Sequence, residues 1–266
     1  MIKTIIFDLD DTLLWDKKSI ATAFLQTCKL AEEKYGIYAE QLEKHVRDAA
    51  RELYASYETY DFTKMIGINP FEGLWGTFDD DIDDFKKMYQ LVPTYRKQAW
   101  EQGLKKAGIN DVRFAETLAD RFVQERVGNP FVYEETFAVL AALQPNYQLL
   151  LLTNGAPSLQ EQKLTLTPEL RNYFDHIIIS GAFGKGKPDP SIFAHALMLA
   201  DVKKEEALMV GDNLMTDILG ANQAGIKNVW INRENKEQTT VKPTYQIQHL
   251  SQLEPLAASL TQQDNY

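Results

Sequence analysis

The chain has 266 residues, 44% of them apolar, and a formal charge of −10. That length suits one large domain or a core with a smaller companion, and the negative field argues against polyanionic partners: neither nucleic acid nor an anionic membrane surface is expected to bind. One cysteine, Cys28, leaves no internal disulfide, and no apolar leader or membrane-length run is present, so the expectation is a cytoplasmic protein with Cys28 as a small buried hydrophobe.

The first element is an apolar run over Lys3–Asp8, read as a buried strand, which ends among three carboxylates, Asp8, Asp10 and Asp11. Helical patterns follow at Ser19–Tyr35 (closed by Gly36), Ala39–Tyr57, Pro93–Ala107 (Gly108 behind it) and Val112–Val127 (Gly128 and Pro130 behind it). Ile20, Phe24, Ala31 and Tyr35 recur at the spacing of an amphipathic face. Within this stretch the acidic run Asp79–Phe85 reads as a solvated helix start, and Arg47, Arg51 and Arg96 read as residues of solvated helix faces, with contact to a substrate carboxylate or second phosphate as the alternative. The aromatic segment Asn69–Phe78 fits either a substrate-facing loop or a packed helical core.

Four more Ile/Leu/Val-rich strands are expected at Gln148–Thr153, His176–Ser180, Ala207–Gly211 and Asn228–Ile231, with a weaker one at Tyr245–Gln248. Helices at Ser191–Leu199 and Thr216–Ala224 alternate with them. Such alternation predicts an α/β fold, a doubly wound parallel sheet formed by residues 1–15 and 129–266, with an α-helical insertion over 16–128. The last dozen residues are expected to fray.

Four of these strands finish in polar residues: Asp8, Thr153-Asn154, Ser180 and Asp212. Open parallel sheets bind ligands beyond the carboxyl ends of their strands, so the four point to one site. Asp8 and Asp10 repel each other unless a cation lies near, and a hard, oxygen-liking ion such as Mg²⁺ resolves the conflict. A second acidic segment, "MVGDNLMTD", supplies Asp212 and Asp217. Alone, Asp212 would read as a helix N-cap; arriving with Asp8 and Asp10 it reads as a ligand. His45, His176, His195 and His249 have no ligand spacing. Gly181, Gly186 and Lys187 match the start of a nucleotide P-loop, but Pro188 offers neither the hydroxyl nor the amide that loop needs, so the match is rejected.

"DLDDT" (Asp8–Thr12), "LLLLTNG" (Leu149–Gly155), "GKPDP" (Gly186–Pro190) and "VGDNLMTD" (Val210–Asp217) resemble, in order, the four motifs of the haloacid dehalogenase-like superfamily. The resemblance covers the core and implies a Rossmann-like sheet with a helical cap that closes over the site. It implies Asp8 as the nucleophile and Asp10 as general acid and then base. Mg²⁺ would lie on Asp8, the main-chain carbonyl of Asp10, and Asp212. Thr153, the Asn154 amide and Lys187 would hold phosphoryl oxygens, with Asp217 orienting Lys187 or a water on the metal. The presence of Asp10 favours phosphoryl transfer over the dehalogenase and phosphonatase chemistries of the same superfamily. The implied activity is Mg²⁺-dependent hydrolysis of a small phosphate ester. Phosphoserine stands first, since the chain looks most like the capped phosphoserine phosphatases of bacilli. Nucleoside 5′-monophosphates and sugar phosphates (phosphatase or mutase) come next, and a phospho-aspartate switch or relict binding module is the non-enzymatic alternative. Oligomeric state is left open.

Overall fold

In the computed structural model, which describes residues 1–237 and 240–263, six short runs extend into strands: β1 (Thr4–Phe7), β2 (Gln148–Thr153), β3 (His176–Ile179), β4 (Ala207–Gly211), β5 (Lys227–Ile231) and β6 (Tyr245–Ile247). Every pairing is parallel and the order is β3-β2-β1-β4-β5-β6. The fold is therefore the doubly wound α/β sheet that the sequence predicts. The chain builds outward from β1 to β2 and β3, then returns to add β4, β5 and β6 on the other side. The loops leaving β1 and β4 thus diverge, which opens a crevice where strand order reverses. The register pairs Phe7 with both Leu151 and Val210, so Asp8, Thr153 and Asp212 leave the sheet along one edge.

The helices are α1 (Asp16–Tyr35), α2 (Ala39–Ser56), α3 (Tyr60–Ile66), α4 (Pro70–Gly73), α5 (Asp83–Lys106), α6 (Val112–Gly128), α7 (Thr136–Leu143), α8 (Pro157–Leu166), α9 (Ser180–Phe183), α10 (Pro190–Ala200), α11 (Leu219–Ala224) and α12 (Leu253–Gln263). Among the described residues, no helix is long and apolar enough to cross a membrane. Two compact units emerge: residues 1–15, 132–155 and 167–266 make one, and 16–131 with 156–166 make the other. In the sheet unit, Ile6, Leu150, Leu152, Ile178 and Met209 meet Ile192, Phe193 and Ala196 of α10 in one buried cluster.

The helical unit has its own core, in which the ring of Phe24 lies 4.6 Å from Phe122 and 6.0 Å from Trp100. The unit also takes in α8, which follows β2 in the chain. Ala156 and Leu159 join its apolar core. The Asp80 carboxylate accepts from the Ser158 amide (2.7 Å) and hydroxyl (2.6 Å), and Lys163 pairs with Glu72 at 3.2 Å, both side chains buried. A second buried pair joins Arg126 to Asp16 at 2.7 Å, with the guanidinium 4.5 Å from the Trp75 ring centroid.

Several local readings change. Helix α5 starts at Asp83, and Pro93 lies inside it instead of opening it. Phe85, Met88 and Val92 before the proline and Tyr95, Ala99 and Trp100 after it share a buried face. That continuous face outweighs one missing hydrogen bond, since Pro93 itself is exposed and water can reach the freed carbonyl. Segment 69–78 is packed core: Leu74, Trp75 and Phe78 are buried, and Asn69 and Glu72 form a capping box around α4. Tyr35, expected on the packed face of its helix, is 41% exposed and donates to Asp111. Arg47 pairs with Glu43 and lies over the Phe24 ring, Arg51 pairs with Asp48, and Arg96 donates to the Gly73 and Gly76 carbonyls. The stretch expected as a helix from Thr216 begins as a π-turn at Leu214–Ile218 before α11. Fraying was expected over the last dozen residues, but α12 runs to Gln263; residues 264–266 lie outside the described residues.

Gly103 marks a close approach of α5 to α2. A Cβ there would lie 2.4 Å from Val46 Cγ2 and 3.0 Å from its Cα, so part of the clash is with backbone. Gly103→Ala is expected to lower stability by about 1–3 kcal/mol despite the better helix propensity of alanine. Urea unfolding checks this, and a variant as stable as the parent would show that the two helices separate freely.

Candidate active site

The ammonium of Lys187 is the centre of the polar cluster at the sheet edge. Its Nζ lies 2.6 Å from Asp8 Oδ1 and 2.7 Å from Asp217 Oδ1, and donates to the Leu152 carbonyl at 2.7 Å. All three side chains are buried. Lys187 reaches this point because its backbone is held: the Asn154 side chain accepts from the Lys187 amide (2.8 Å) and donates to its carbonyl (2.9 Å). Beyond it Asp189 caps α10 by accepting from the Ser191 amide, with Pro190 at the first helical position. Lys185, by contrast, is exposed and pairs with Asp189 at 3.3 Å.

The β4 loop places the other carboxylates. Asn213, not Asp212, caps the following turn by accepting from the Met215 amide. The Asp217 carboxylate folds back to accept from the Asn213 amide at 3.0 Å, passing where a side chain on residue 211 would stand. A Cβ at Gly211 would lie 2.3 Å from Asp217 Oδ2, so only glycine leaves this route open. Trp230 on β5 donates from its indole to the Asp212 carbonyl at 2.8 Å. Carboxylate oxygens of Asp8, Asp212 and Asp217 lie within 4.8 Å of one another. The Asp10 side chain is outside that group and sits in the turn after β1, half-buried. Thr153, at the end of β2, is buried, and the Thr12 hydroxyl donates to Asp8 Oδ2 at 3.1 Å.

Two carboxylates meet this ammonium and a third, that of Asp212, lies beside them. Burial raises the Asp8 carboxyl to about 6 against the pull of Lys187, and it raises Asp217 as well. Burial also opposes the charge on Lys187, but Asp217 and Asp8 outweigh it and hold the ammonium above its usual range. The donor set is all oxygen and carries excess negative charge, as a hard divalent cation requires. The residues present fit such an ion.

A family model described as haloacid dehalogenase-like hydrolase matches residues 2–225. The chain belongs to the haloacid dehalogenase-like hydrolase family. A phosphoserine phosphatase of Thermus thermophilus is 35% identical over 87% of this chain and 89% of its own length. An N-acylneuraminate-9-phosphatase of Mus musculus is 28% identical over 97% of this chain and 95% of its own. Among solved structures, the hydrolase YfnB of Bacillus subtilis, bound to magnesium, superposes with a TM-score of 0.65 at 21% identity, covering 96% of this chain and 98% of that one. That likeness is one of fold.

Three contributors were not singled out from the sequence. Thr12 lies inside the first motif, but nothing in its spacing gives the hydroxyl a partner. Trp230 reads as an ordinary strand residue. Arg233, two residues beyond β5, donates to the Thr12 carbonyl at 3.2 Å. Its signal in the sequence is the polar pair Asn232-Arg233 that closes the fifth strand.

The raised Asp8 carboxyl makes a signed prediction for the metal-free protein. Between the ordinary 3.8 and about 6 the native state binds more protons than the unfolded one, so stability is lost as pH rises through that window. Asp8→Asn removes this penalty. In EDTA, the melting temperature of the variant minus that of the parent should climb through the window and level off above it, by the equivalent of about 2–3 kcal/mol at most. A difference that stays flat or falls would contradict the strain assigned to Asp8.

Proposed function

We propose that this member of the family, a phosphatase by its kinship, hydrolyses the phosphate ester of a small metabolite through an aspartyl-phosphate on Asp8, with phosphoserine as the first substrate. The observation that carries the reading is the buried Asp8–Lys187–Asp217 cluster at the strand ends, with Asp10 two residues beyond Asp8. Asp8 attacks phosphorus, the bond from phosphorus to the ester oxygen breaks, and Asp10 gives that oxygen its proton. Asp10, now ionised, takes a proton from water as the water attacks the acyl phosphate, which frees inorganic phosphate and restores both carboxyl groups. Lys187, the Thr153 hydroxyl and the Asn154 main-chain amide would hold the oxygens that stay on phosphorus, where charge must be neutralised. The Asn154 side chain, engaged with the Lys187 backbone, serves to aim the lysine.

Asp8, the main-chain carbonyl of Asp10 and Asp212 would hold Mg²⁺, and Asp217 stands behind them on Lys187. When bound, the ion supplies positive charge that lowers the repulsion between an anionic nucleophile and an anionic ester. Support for magnesium comes from the all-oxygen donor set and from the magnesium-bound relative of like fold. The substrate ranking rests on the similarity to a phosphoserine phosphatase across most of both chains.

Two experiments test the reading. On a panel of metabolite phosphates, turnover should fall to background in EDTA and return with Mg²⁺. Phosphoserine should give the highest kcat/KM, ahead of nucleoside 5′-monophosphates and sugar phosphates. Another winner would change the substrate and leave the chemistry, whereas no turnover of any phosphate would overturn both. For the lysines, Lys187→Met should lower kcat/KM roughly a hundredfold or more, and Lys185→Met by no more than about threefold. Circular dichroism checks folding, since Lys187→Met also leaves two buried carboxylates unpaired. A crippled Lys185→Met beside an active Lys187→Met would shift the phosphate-holding role to the earlier residue.

A further inference from the structure

Strand β5 carries none of the groups assigned to the reaction, yet the segment beyond it reaches the turn that bears Asp10. Arg233 Nη2 donates to the Thr12 carbonyl at 3.2 Å, while Nη1 pairs with Glu135 Oε1 at 2.6 Å. The guanidinium lies 3.6 Å from the centroid of the Tyr133 ring, which also stacks on Trp15 at 5.1 Å. Glu135 is held in turn, accepting from the Leu250 amide at 3.4 Å with His249 Nε2 at 3.5 Å. The guanidinium is thus fixed on three sides, and both charged groups are largely buried (16% and 9% exposed).

The turn needs an outside hold. Asp11 is in the left-handed region at φ 62, which costs a non-glycine residue roughly 1 kcal/mol or more. Three main-chain carbonyls around it have backbone or hydroxyl partners. Leu9 accepts from the Leu13 and Leu14 amides, Leu14 accepts from the Asp11 amide, and Leu13 accepts from the Tyr133 amide and the Thr136 hydroxyl. The Thr12 carbonyl takes its hydrogen bond from Arg233. Thr12 is also the residue whose hydroxyl rests on Asp8, and it lies two residues from Asp10.

We infer that Arg233 is a positioning residue for this turn: by holding the Thr12 carbonyl it keeps the Thr12 hydroxyl on Asp8 and keeps the Asp10 carboxyl aimed at the leaving oxygen. Arginine suits the place because its planar fork spans a carboxylate and a carbonyl at once while its face stacks on an aromatic ring. A lysine would bring a compact point charge with neither the fixed fork nor the flat face. The inference rests on the reading of Asp10 as proton donor, and it makes a claim that general damage to the fold would not. Misplacing the donor should hurt a poor leaving group more than a good one, because only the poor one needs the proton in the first step.

The test compares kcat/KM, which reports steps through the first irreversible one, for phenyl phosphate and p-nitrophenyl phosphate. Arg233→Met should lose about tenfold on phenyl phosphate and no more than about threefold on p-nitrophenyl phosphate. Arg233→Lys should fall between parent and Arg233→Met, and added guanidinium should restore part of the Arg233→Met loss on phenyl phosphate. Asp10→Asn is the reference and should show the same split more strongly. If Arg233→Met does not fold, Glu135→Gln carries the test, because it leaves the arginine in place with one anchor fewer. Equal losses on both substrates in the folded Arg233 or Glu135 variants, beside a split in Asp10→Asn, would overturn the role of Arg233 and spare the mechanism. No split in Asp10→Asn would overturn the proton-donor reading, and this inference with it.

Discussion

The buried ammonium of Lys187 is the interaction on which the site depends. Asp8 and Asp217 approach it from the ends of β1 and β4, at 2.6 and 2.7 Å. Without a cation at that point, two desolvated carboxylates so close could not both ionise. Removing one partner of a buried pair costs about 3–5 kcal/mol, so the cluster is a constraint on folding as well as on chemistry. Three carboxylates gathered beside one ammonium make an all-oxygen set suited to a divalent ion, and burial, more than any neighbouring charge, keeps the Asp8 carboxyl raised.

Backbone geometry puts these charges in place. Strand order reverses beside β1, so the loops after β1 and β4 separate and leave room at the sheet edge. Within that room, fixing is done by main-chain clamps. Asn154 grips the Lys187 peptide on both sides, Trp230 holds the Asp212 carbonyl, and Arg233 holds that of Thr12. Gly211 contributes by having no side chain where the Asp217 carboxylate must pass.

The helical unit handles charge differently. Its buried ions are matched two against two: Lys163 lies on Glu72 and also acts on Asp16, which pairs with Arg126, so the charges are compensated within the unit. Balanced pairs of this kind specify how helices meet; an unbalanced cluster at strand ends calls for a ligand. Burial alone would not separate the two cases, since both sets are largely withdrawn from water. The count of positive against negative groups does.

By itself the sequence determined the parallel sheet, because Ile/Leu/Val runs covered on both faces need no distant information to be recognised. β2 and β4 have the expected bounds, and the other strands differ by one or two residues. The strand-end residues could also be named in advance, since a polar side chain that closes a buried strand has few other places to go. Tertiary structure decided matters that depend on neighbours remote in the chain. Pro93 reads as a helix start until the shared buried face on either side of it is seen. Helix α8 follows β2 in sequence, but Glu72 and Asp80 draw it into the helical unit. Asp212 could have been a cap until Asn213 took that role. Arg233 and Thr12 are 221 positions apart, and no local pattern relates a guanidinium to a carbonyl at that distance. Periodicity records which face of a segment is dry, whereas hydrogen-bond partners across the fold are set only when the strands have been ordered.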